Sequence, residues 1–123
     1  MLDTQNPDST FPITRMRVVR MAIENAIMVR DLMAERRPGE RLRDQLEGSS
    51  SSVYSNASEA ERAIYRRVKL KALGIAVSEN AEFAAQVMDL TRGGPHPLHD
   101  RIDHVGRMLT RWIQNARPGW GDR

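Results

Sequence analysis

Apolar residues recur every three or four positions through most of the chain, the spacing that lines one face of an α-helix. From Thr14 the series Met16, Val19, Ile23, Ala26 or Ile27, and Met33 predicts a first helix over about 14–36. Arg36-Arg37-Pro38-Gly39 ends it, since cations suit a helix C-terminus and the Pro-Gly pair breaks the pattern. A third stripe, Val68, Ala72, Ile75 or Ala76, Phe83, Val87 and Leu90, stops at Gly93-Gly94-Pro95. The fourth, Leu98, Ile102, Val105, Leu109, Ile113 and Ala116, is the cleanest, with Pro97 placed for a first helical turn and Pro118 beyond its end.

The second element is the test case. EGSSSSVYSNASEAERA, residues 47–63, resembles a flexible linker in composition, with four serines beside a glycine. Yet Leu42, Leu46, Ser49 or Ser50, Val53, Ala57 and Ala60 carry the three-four spacing straight through it, and no proline stands between 39 and 94. The tract therefore reads as helix. Glycine and serine there cost a few tenths to about 1 kcal/mol each relative to alanine. Close approach of a neighbouring helix, where only small side chains fit, would offset that cost. A short turn or kink is expected between Ala60 and Arg67, where ERAIYRR mixes charge with Ile64 and Tyr65.

Four amphipathic helices on short connections predict an all-α, antiparallel up-down four-helix bundle over 14–118, with an N-terminal arm (1–13) and a C-terminal tail (119–123). A chain of 123 residues has room for one such core. Met108 and Trp112 lie beside the fourth stripe, and Met28, Val18, Ala22 and Val29 give the first helix a similar apolar surplus. Either the core is wide, or a strip is left for contacts between subunits through Met28, Met108 and Trp112.

Charge adds a partner class. The net charge is only +3, but 17 of the 19 cations are arginine, whose planar, multi-donor head suits phosphates and carboxylates. Arg62, Arg66, Arg67, Lys69 and Lys71 form the densest basic patch, Arg101, Arg107, Arg111 and Arg117 stud the last helix, and Arg15, Arg17 and Arg20 open the first. Such rows hold a phosphate backbone by charge without reading sequence, and few aromatics accompany them for base stacking. Cysteine is absent, which removes disulfides and thiolate metal sites and fits a reducing, cytoplasmic setting. No signal-peptide pattern and no apolar run of membrane-spanning length is visible, so a soluble protein without membrane contact is expected.

Candidate chemistry is thin. His96, His99 and His104 lack the Glu-x-x-His pairing of a bundle metal site, and cap or surface roles are expected for them. Ser49 to Ser52 show no partner base and no Gly-x-Ser-x-Gly elbow, and Glu59, Glu79 and Glu82 sit among arginines that would pair or screen them. The expectation is a protein without catalytic residues, metal or cofactor.

Two segments carry a family resemblance. LRDQLEGSSSSVYSNASEAERA, with Gln45-Leu46, Ser49 to Ser52, Asn56 and Glu59, resembles the second helix of small four-helix-bundle proteins linked to intervening sequences in bacterial large-subunit rRNA genes. HDRIDHVGRMLTRWIQNARPG, with Val105-Gly106-Arg107, Leu109 and Trp112-Ile113, resembles the last helix of the related accessory variability determinant (Avd) proteins of diversity-generating retroelements. The second resemblance implies a pentameric, ring-like barrel of four-helix subunits. It also implies binding to a reverse transcriptase and its template RNA, in support of mutagenic cDNA synthesis and without catalysis. The first implies a stand-alone binding or structural module without a reverse transcriptase. A purely protein-binding helical adaptor is the third reading open to the residues alone.

Overall fold

The computed structural model describes residues 17–116. They form four helices, α1 (Arg17–Arg36), α2 (Glu40–Arg62), α3 (Arg66–Leu90) and α4 (Pro97–Ala116). The expected arm, the tail, residues 14–16 and Arg117 lie outside the described residues.

The serine tract is continuous helix, and its hydroxyls turn back on their own backbone: Ser50 Oγ donates to Glu47 O at 3.3 Å and Ser51 Oγ to Gly48 O at 3.1 Å. Ser49 and Ser50 are buried, and Ser49 Oγ also donates across to Gln86 Oε1 of α3 at 2.6 Å. Close approach thus explains these two serines. It does not explain Gly48, which is exposed and has open space where a Cβ would stand.

The buried side chains fall into two clusters, and their membership gives the topology. One joins Val19 and Ala22 from the first half of α1 to Val53, Ala57 and Ala60 from the second half of α2, Ala72, Leu73 and Ala76 from the first half of α3, and Val105 and Leu109 from the middle and second half of α4. The other joins Val29, Leu32 and Met33 to Leu46, Phe83, Val87, Leu90, Leu98 and Ile102, taken from the complementary halves. Successive helices therefore run in opposite directions. Each packs on its chain neighbours and α1 also packs on α4, closing a four-helix bundle.

Polar side chains are buried near where the clusters meet. Asn80 Nδ2 donates to Ile102 O at 3.0 Å, and Arg101 Nε donates to the buried Asn25 Oδ1 at 2.8 Å. Gly106 faces Asn80 closely, since a Cβ there would lie 3.1 Å from Asn80 Nδ2. A buried amide that must meet one carbonyl disfavours sliding of α3 along α4, because a slipped register leaves it unsatisfied.

Helix ends follow from local chemistry. At the end of α3, Arg92 N donates to Asp89 O and Gly93 N to Met88 O, a closing pattern that places Arg92 at φ 53° and Gly93 at φ 75°. Arg37, at φ 52°, ends α1 by donating to Met33 O. His96 caps α4, its Nδ1 accepting from Leu98 N at 3.1 Å, while His99 Nε2 donates to Gly94 O at 2.9 Å and ties down the preceding turn.

One expectation needs correction. Val68, placed in the third stripe, is exposed, because α3 begins at Arg66 and its core phase runs through Ala72, Leu73 and Ala76; of the alternatives Ile75 and Ala76, Ala76 is the buried one. Val18, Ala22 and Val29, read as surplus, are buried inside the bundle. Met28, Met108 and Trp112 are half-buried against the same core, so the extra apolar surface of α1 and α4 goes largely into a wide interior.

Candidate partner-binding surface

The connection between α2 and α3 is three residues, Ala63 to Tyr65, and it sits at the corner where the densest basic patch was expected. From Arg62 to Lys71 the chain carries five cations and no carboxylate. Arg62, Arg66, Arg67 and Lys71 are exposed there. Lys69 has another role. Its Nζ donates to Ala60 O at 3.0 Å and stands 5.7 Å from the Trp112 ring centroid, so it satisfies the end of α2 while bridging α3 to α4. Trp112, expected at a subunit contact, is correspondingly engaged within its own chain.

The basic residues of α4 divide the same way. Arg101 is held by Asn25 and by Glu24 Oε1, the latter at 2.6 Å, so it serves the α1–α4 contact. Arg107 pairs with Asp103 one turn earlier. Arg111 is exposed, and with Arg107, Asp103, Ala81, Ala84 and Gly106 it lines a shallow groove of about 540 Å³ between α3 and α4. Arg17 and Arg20 are exposed at the start of α1, and Arg15 lies outside the described residues.

Sequence reasoning missed two features. Ile64 is 88% exposed and Tyr65 71%, side by side at the centre of the basic corner. Their signal was legible: ERAIYRR contains none of the usual turn residues, so its apolar pair had no place in either stripe. At the opposite end of the bundle Arg36, Arg37 and Arg92 line a depression of about 460 Å³ together with Asp89. Those arginines come from two helix termini more than fifty residues apart, which periodicity cannot bring together.

Glu59 and Glu82 are exposed and Glu79 half-buried. Among the described residues no group of three His, Asp or Glu side chains is gathered to hold one metal ion, and no helix is long and apolar enough to cross a membrane. The chemistry this surface offers is charge and contact. No protein-family model, curated protein or solved structure matches the chain.

Proposed function

We propose that this four-helix bundle is a non-catalytic nucleic-acid-binding accessory protein, and that it works in the manner of the Avd proteins, holding template RNA and a reverse transcriptase together. The observation that carries the binding half is the α2–α3 corner, where Arg62, Arg66, Arg67 and Lys71 are exposed in a stretch free of carboxylates. The reverse-transcriptase half, and assembly into a ring-like homopentamer, rest on the resemblance of α4. Scaffolding is the mechanism: several weak, salt-sensitive contacts raise the local concentration of template at a polymerase.

RNA binding measured by fluorescence anisotropy tests the first half. Affinity should fall steeply as salt rises, and replacing Arg62, Arg66, Arg67 and Lys71 by Glu should abolish it. Binding indifferent to salt, or intact after that reversal, would refute the reading, and no RNA binding by the parent chain would favour a protein adaptor. Light scattering tests the assembly, a pentameric mass being the expected result. Gln45-Leu46, the serine tract and Asn56 of α2 support a second reading, the stand-alone rRNA-linked bundle. RNA binding without co-purification of a co-expressed reverse transcriptase would favour it.

A further inference from the structure

We infer that the tip between α2 and α3 takes unpaired nucleotides, with Tyr65 and Ile64 against base faces and Arg62 and Arg67 on the flanking phosphates; this rests on reading the corner as a nucleic-acid surface. The tip is costly for folding alone. Ile64 and Tyr65 leave most of their apolar surface in water. Tyr65 also occupies the N-cap position of α3 without a side-chain cap bond, where Ser, Thr, Asp or Asn would satisfy a free backbone donor. Its backbone is extended, at φ −97° and ψ 136°, so the turn places no demand for an aromatic. Neither residue is explained by the bundle.

A single strand explains both. Along 62–68 the chain runs cation, three apolar residues, two cations, then the exposed Val68. A strand with unstacked bases presents the matching series, an anionic phosphate and an apolar face at each nucleotide. Val68 joins two surface depressions, a polar one lined by Ser55, Ser58, Glu59, Arg62 and Ala63, whose carboxylate suits a base edge and not a phosphate, and one lined by Tyr65, Arg66 and Arg67, so base contacts have room on either side of the tip. A duplex would meet the arginines but keep its base faces stacked away, leaving Ile64 and Tyr65 wet. An acidic protein pocket would have to desolvate the arginines at its rim in order to bury the apolar pair.

The full chain is titrated with a labelled single-stranded RNA of mixed sequence and with the duplex of the same length. Tyr65→Ser should lower single-strand affinity about tenfold, the loss of one base–aromatic stack. Duplex affinity and the salt slope should stay as they were, since no cation is removed. Tyr65→Phe should restore binding, and Ile64→Ser should weaken it in the same sense. Thermal melting separates folding from binding, because Tyr65→Ser supplies a cap and should not lower the melting temperature. Equal losses on both substrates, or none on the single strand, overturn the inference while leaving the basic corner as a nucleic-acid site. A parent chain that binds neither substrate overturns both. Unchanged RNA isotherms with lost binding to phosphatidylserine vesicles or to poly-glutamate would assign the tip to a membrane or an acidic protein instead.

Discussion

Gly106 and Asn80 form a coupled pair whose energetics test the account of the bundle interior. In an ordinary helix, Gly→Ala stabilises by about 1 kcal/mol. At Gly106 the new Cβ would lie 3.1 Å from Asn80 Nδ2, which donates to Ile102 O from a buried position. Moving that amide off its carbonyl leaves a buried donor unpaired, at a cost of about 2–3 kcal/mol. Gly106→Ala alone should therefore destabilise by about 1–2 kcal/mol. Asn80→Ala removes both the obstacle and the bond, so in that background Gly106→Ala should stabilise by the ordinary ~1 kcal/mol. The cycle predicts a coupling of about 2–3 kcal/mol, readable by urea unfolding followed by circular dichroism. Effects of Gly106→Ala that agree within about 0.5 kcal/mol in the two backgrounds would refute the claim that Gly106 is there to admit Asn80.

Other outcomes follow from the same structure. Gly48→Ala and Gly74→Ala have open space at the added Cβ, and each should raise stability by about 1 kcal/mol, seen as a higher denaturant midpoint. Lys69→Met keeps the apolar stem but loses the bond to Ala60 O and the contact with Trp112. It should cost ~1–2 kcal/mol, whereas the exposed Lys71→Met should stay within about 0.5 kcal/mol. Arg101→Met strips Asn25 Oδ1 of its donor, and Asn25 Nδ2 has no protein partner, so a cost of ~1–3 kcal/mol is expected in the same unfolding assay. In RNA titrations Arg101→Met should change the salt slope less than Arg62→Met, because its guanidinium is already committed to α1.

The helices and their breaks were legible because each rests on local signals. The stripe through Ser49 and Ser50 showed the linker-like tract to be helix, and Pro38 and Gly93 stand at the breaks the structure displays. Phase within a helix was less legible. Val68 extends the α3 stripe on paper, but a three-residue connection resets the rotation, and smaller alanines take the core positions. Basic residues were harder still. Nothing near Arg101 or Lys69 in the chain reveals Asn25, seventy-six positions away, or Ala60 on the neighbouring helix. Charge can be counted from sequence, whereas which charges are committed indoors depends on packing.

The two core clusters differ in substance. Five of the eleven buried residues in the one beneath the α2–α3 connection are alanine, and none in the other is, so the first has a thinner fully buried layer, completed by half-buried side chains such as Tyr54, Met108 and Trp112 that still reach solvent. Local opening should begin at the cationic end, where backbone amides around Ala60 and Ala72 exchange with solvent sooner than those around Phe83 and Ile102. The corner proposed to grip a strand is thus mounted on the more compliant half, able to adjust to irregular shapes while the bulkier half keeps the scaffold upright.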